Sequence, residues 1–170
     1  MAGTAADAVK KAKSWHGLKE GAPVDKAIVN PYNKLTKRHL KSKLVAWCRI
    51  FSLMAQVLSG VKKYYKTSGC KQAVAWYKKK KRWKNRGVTP KPGWEVFYHF
   101  KKWDKKKKKY VRSKNPGHSG IVIAVNSKTG YMKVEEGNKS HAVGKSDGVG
   151  TRTIKYNSLD VLGFGIPYYK

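Results

Sequence analysis

The chain predicts an α+β fold with N-terminal helices packed against one side of a C-terminal antiparallel sheet. Two observations predict this. Helical periodicity fills the first half and strand-like alternation the second. At 170 residues and 40% hydrophobic content the chain is also long enough to bury a core of its own. There is no internal repeat, long Pro/Ser linker or apolar run of membrane-spanning length, so residues 1–170 read as one domain.

The first helical pattern covers 4–16, with Thr4 as its cap and Asp7 at the third position. A second helical stretch around Lys26-Ala-Ile-Val29 is expected to stop or kink at Pro31, which cannot donate in a helix interior. From Trp47 the apolar residues fall at Ile50, Phe51, Met54, Val57 and Leu58, a helix over 46–59 that ends before Gly60. A fourth pattern over 69–83 places Cys70, Ala73, Val74 and Tyr77 on one face, and the run Lys78 to Arg82 extends it. Strand patterns follow at 95–100, 119–125, 131–136, 150–156 and 161–166, while 101–117 reads as a lysine-rich loop.

The strands at 119–125 and 131–136 flank the turn-like Asn126-Ser-Lys-Thr-Gly130 and form a hairpin. Pairing Val125 with Tyr131 puts position 120 opposite 136 and 118 opposite 138. His118 then shares a face with Glu136 and Asn138, because side chains repeat every second residue. An imidazole beside a carboxylate or amide is an oriented base that lacks only a nucleophile. Cys48 is the candidate: it sits in the first turn of its helix, where unpaired N–H groups and the dipole favour a thiolate. The chemistry implied is attack on an amide, protonation of the leaving amine by imidazolium, and hydrolysis of the thioester. Cys70 reads as a core residue, not a disulfide partner. His16, His39, His99 and His141 have no matching partners in the sequence and read as surface or packing residues, with His99 on a strand that borders the groove. No phosphate-binding Gly-rich loop, HExxH or pair of CxxC motifs competes.

The segments AWCRIF (46–51), PKPGWEVFYHF (90–100), HSGIVIAV (118–125), VEEGN (134–138) and GFGIPYY (163–169) resemble CHAP domains in order and spacing. These are the cysteine, histidine-dependent amidohydrolase/peptidase modules of phage endolysins and bacterial cell-wall hydrolases, which cut amide bonds in peptidoglycan, and the resemblance implies their papain-like α+β fold. The resemblance implies Cys48 as nucleophile, His118 as general base and Glu136 as orienting acid, with Asn138 the alternative third member. Trp47, Trp94, His99 and Trp103 are the candidate substrate-binding side chains. Departures are visible. Trp94 stands where the family has an aspartate that helps to fix the first strand, and Arg49 follows the cysteine where small residues are common. A cation there is expected to lower the thiol pKa. Some members carry an aspartate-rich calcium site near the nucleophile. Residues 34–50 contain no acid, so no metal, and no other cofactor, is expected.

Charge is the other dominant fact. Thirty-nine Lys and Arg against nine Asp and Glu leave a formal charge of +30. Such a surface binds polyanions, and the partners expected beside peptidoglycan are anionic wall polymers, lipopolysaccharide, acidic lipids or, non-specifically, nucleic acid. The runs Lys78 to Arg82 and Lys105 to Lys109 are the densest blocks. A catalytically inactive, charge-driven binder of wall or nucleic acid on the same fold is the alternative reading, although no zinc-finger spacing, RNP-like strand or basic zipper accompanies the lysines. The N-terminus lacks a signal peptide's charged start and apolar stretch. The expectation is therefore a monomer made in the cytoplasm that reaches the cell wall after release.

Overall fold

The computed structural model describes residues 1–139 and 147–170, with backbone alone at 139. His141 lies outside the described residues. The chain folds as the α+β arrangement its patterning predicts, helices first and a sheet after. Helix α1 (Ala5–Ser14) starts at a reciprocal cap: the Asp7 N–H donates to Thr4 Oγ1 at 3.1 Å and the Asp7 carboxylate accepts from the Thr4 N–H at 3.2 Å. Pro31 does not stop the next helix. Short α2 (Ala22–Val24) runs through a π turn, Asp25–Val29, into α3 (Asn30–Thr36). The Asn30 N–H donates to the Asp25 carbonyl, so the widened turn precedes the ring and Pro31 falls in the first turn of α3, where a missing N–H costs least.

Helix α4 (Cys48–Leu58) is buried from Cys48 to Gln56, so its apolar stripe is only one of its covered sides. Phe51 packs edge-on against Trp15 beyond the end of α1, within a cluster that also holds Ile28, Ile50, Leu53 and Ile121. Burying each such side chain contributes roughly 1.5–3 kcal/mol. The other side of α4 is a polar stripe. Arg49 Nε lies 3.1 Å from Glu95 Oε1, Ser52 Oγ lies 3.2 Å from Ser119 Oγ, and Gln56 donates to Glu95 Oε2 at 3.1 Å. Glu95, buried between these partners, also accepts from the Tyr77 hydroxyl at 2.8 Å. Tyr77 belongs to α5 (Cys70–Lys79), which ends inside the basic run. Lys81 turns left-handed at φ 57°, and Arg82 donates to the carbonyls of Ile166 and Pro167.

Among the described residues six strands form one antiparallel sheet in the order β1-β6-β2-β3-β4-β5. They are β1 (Trp83–Asn85), β2 (Glu95–Asp104), β3 (Lys109–Asn126), β4 (Tyr131–Lys139), β5 (Gly148–Lys155) and β6 (Val161–Gly165). Glu95, Phe97, Ser119, Ile121 and Glu135 point towards the helices, while Val96, Tyr98, Val122, Val134 and Phe164 build a second core on the opposite face. Two features depart from the expectation. Residues 101–104 and 109–117 are strand, not loop, joined by a turn at 105–108, and their ladder shifts register at Tyr98/His99 and His99/Lys101. The hairpin pairs Asn126 with Tyr131, one residue away from the register expected. A bulge at Ile123 then restores it: Ile121 faces Glu135, and continuing that ladder sets Gly120 opposite Glu136.

The few acids are almost all engaged. Glu20 accepts from Trp47 Nε1, Asp25 from the Ser42 N–H, and Asp104 from the N–H groups of Lys106 and Lys107. Glu135 meets His16 Nδ1 at 2.7 Å, so His16 does have a partner, and Asp160 pairs with Lys101 and Arg112.

Candidate active site

Cys48 is the first residue of α4, 4% exposed, in a turn whose N–H groups have no intrahelical acceptor. His118 lies on β3 opposite Tyr98, whose ring stacks on the imidazole at 5.6 Å between centroids. Glu136 Oε2 stands 3.2 Å from His118 Nε2, an ion-pair contact not aligned as a straight hydrogen bond. With Nε2 facing Glu136, Nδ1 is the nitrogen left for Cys48, which is close enough for thiol and imidazole to shift each other's pKa. Gly120 makes the approach possible: a Cβ there would lie 2.5 Å from Val134 Cγ1 and 2.8 Å from Glu136 Cγ.

The electrostatics favour a thiolate–imidazolium pair. A hydrogen bond from the Cys70 thiol, then those from His118 and the Ser119 N–H, hold the Cys48 thiol well below its ordinary range despite burial. Burial opposes charge on His118, but the bonds to Cys48 and Glu136 and their negative charge outweigh it, and its pKa is pushed up to about 9. Glu136 is likewise buried, yet His118 and Arg152 keep its carboxyl below the ordinary value. Arg152 Nε donates to Glu136 Oε1 at 2.8 Å, and its guanidinium lies 4.7 Å above the Tyr98 ring.

The other candidates distribute differently. Asn138 takes a left-handed φ of 54° at an irregularity in β4, and its Oδ1 accepts from the Trp47 N–H at 3.3 Å. It holds the entrance of α4 and is not on the imidazole. Trp47 is fully buried in the helical core and cannot touch substrate. Trp94 packs on Phe164 in the second core, and Trp103 is exposed far along the β2–β3 arm. His99 does border the site: it lines, with Tyr98, Lys101, Gly117, Arg152 and Asp160, a cavity of about 240 Å3 beside His118. A larger cavity of about 480 Å3 along Asn33 and His39 holds no nucleophile. The Arg49 cation is directed at Glu95 and does not act on the Cys48 thiol. Cys70 is not simply core. Both cysteines are free, and Cys70 is half-buried at the head of α5, beside Cys48.

Sequence reasoning missed Tyr98, Arg152 and the Cys70 contact. Arg152 emerges only from the strand pairing: β5 pairs Gly150 with Glu136 and Arg152 with Val134, so Arg152 is the diagonal neighbour of the acid. Among the described residues no group of three or more His, Cys, Asp or Glu side chains is placed to hold a metal ion, and no helix is long and apolar enough to cross a membrane. Comparison with protein-family models, with curated proteins and with solved structures returns no match for this chain.

Proposed function

We propose that this protein is a thiol amide hydrolase of the CHAP type that cleaves peptidoglycan. The observation that carries the reading is the convergence of Cys48, at a helix N-terminus, with His118 and Glu136 as an oriented ion pair. The Cys48 thiolate adds to the amide carbonyl carbon. The first-turn N–H groups of α4 face the developing oxyanion. The His118 Nδ1 proton passes to the leaving amine as the C–N bond breaks, which leaves a thioester on Cys48. Water, deprotonated by the now neutral imidazole, attacks that thioester and releases the carboxylic acid and the thiolate. Glu136, held by Arg152, keeps the ring turned with Nδ1 towards sulfur.

Peptidoglycan enters through the five CHAP-like segments and through the +30 charge, which suits a wall rich in anionic polymers or lipopolysaccharide. The bond cut is the N-acetylmuramoyl–L-alanine amide or a peptide bond of the stem or cross-bridge, reached once the protein has gained the wall. Purified sacculi treated with the intact chain and with Cys48→Ala test the proposal, with turbidity and new amino groups followed together. Both signals are expected from the intact chain and neither from the variant, and the identity of the new amine names the bond. No hydrolysis of several wall types by the intact chain would leave the charge-driven polyanion binder as the better account.

A further inference from the structure

Strands β2 and β3 continue past the sheet that supports them. β6 pairs with β2 only from Glu95 to Tyr98, and β4 pairs with β3 only from Ile121 to Asn126. From Lys101 paired with Arg112 to Asp104 paired with Lys109, the two strands have only each other. The base of this ribbon is fixed. Asp160 receives Lys101 Nζ at 3.1 Å and Arg112 Nε at 2.8 Å, and the Asp160 carbonyl accepts from the His99 N–H. The ribbon is therefore a braced projection.

Its surface combines two properties that rarely coincide on a water-facing arm. Residues 99–117 carry nine Lys and Arg side chains against Asp104 alone. Among them stand three large aromatics in the open: Phe100 at 50%, Trp103 at 52% and Tyr110 at 68% exposure. Trp103 faces Tyr110 across the strands, edge to face at 5.2 Å, on the same side as Lys101 and Arg112.

We propose that this ribbon docks on an anionic phospholipid bilayer, the lysines meeting lipid phosphates and the aromatic rings entering the interfacial layer. A juxtaposed polybasic segment is drawn to an acidic leaflet, and Trp and Tyr settle at the headgroup level. A dissolved polyanion accounts for the lysines and leaves the exposed rings without a purpose. Single-stranded nucleic acid needs free ring faces for stacking, and the Trp103–Tyr110 pair covers one with the edge of the other. Phe100, Lys101 and Gly117 at the ribbon's base also line the cavity beside His118, so docking sets how that cavity faces the layer next to the membrane. The inference does not depend on the reaction proposed above.

The test is flotation of the full chain with vesicles of mixed phosphatidylglycerol and phosphatidylcholine, and of phosphatidylcholine alone, at about 0.15 M salt. Tryptophan emission is followed with brominated acyl chains present. The chain is expected to float only with the acidic vesicles, with a blue shift and partial bromine quenching. In the double variant Trp103→Ser/Tyr110→Ser, partition should fall tenfold or more and the quenched fraction should vanish, with the melting curve retained because the ribbon tip packs on no core element. Undiminished partition by that variant, or no quenching of the intact chain, overturns the proposal in favour of attraction by diffuse charge. An equal, Trp103-dependent emission shift with a single-stranded oligonucleotide overturns it in favour of nucleic acid.

Discussion

His118 carries charge in a place where burial opposes it, because Cys48 and Glu136 both hold its proton. The reactive form therefore spans a window. It begins where the Cys48 thiol ionises, well below the ordinary thiol range, and ends as pH rises through about 9. The same pair couples pH to folding. His118, raised from 6.5, stabilises the native state fully below that value and loses its contribution as pH climbs through about 9. Glu136, lowered from 4.5, contributes above that value and loses its share as pH falls below it. Glu136→Gln removes the charge that faces Nε2. The upper limb of the pH–rate profile should move down from about 9, and kcat should fall on the order of a hundredfold. Asn138→Ala, which frees the Trp47 N–H and puts alanine at a left-handed φ, should leave that limb in place and cost about 2–3 kcal/mol in urea melts. A shared shift of the limb in both variants would contradict the separate roles. Cys48, His118 and Glu136 were legible in the sequence because a helix start and a strand period of two place them. Tyr98 and Arg152 were not, since their roles depend on which strands become neighbours.

At the scale of elements, α4 is governed by what lies on its polar side. The Arg49–Glu95 pair is fully buried, and neither charge reaches water. Such a pair adds little net stability when intact, yet removing one partner costs about 3–5 kcal/mol because the other charge is stranded. Arg49→Met should lower the unfolding free energy measured in urea by that much. Arg49→Met/Glu95→Gln should recover most of the loss, with Tyr77 and Gln56 still bonded to the neutral amide. A double variant as unstable as the single one would show that packing, not charge, sets the cost. The apolar periodicity of 47–58 made the helix legible, but nothing in the pattern marks Arg49, Ser52 and Gln56, at spacings of three and four, as buried. Their burial follows from β2 and β3 lying against that side. The ribbon was hidden for a related reason. Lysine runs carry little strand preference, and residues 101–104 and 109–112 are strand because they pair with one another.

The molecule as a whole holds +30 charges on a fold whose acids are mostly committed. If the protein is the proposed hydrolase and charge delivers it to a cell wall, lysis of whole sacculi should decline steeply as salt rises, while hydrolysis of a small soluble muropeptide should change little. Equal salt dependence for both substrates would remove delivery from the account. Fold class was legible at this scale, since helices precede strands with no break in pattern. The hairpin register was legible only in part: the bulge at Ile123 offsets a one-residue error at the turn, so the site end came out as expected. The unequal employment of the two signs has a practical result. Asp7 caps a helix, Asp25 and Asp104 fasten loops, Glu95, Glu135 and Glu136 sit inside, and Asp160 braces an arm, whereas among the described lysines Lys101 is the one in an ion pair. Sequence freedom is therefore lopsided: recoding exposed lysines to glutamine or serine leaves the architecture its instructions, and the acids are the letters that an engineer must not change.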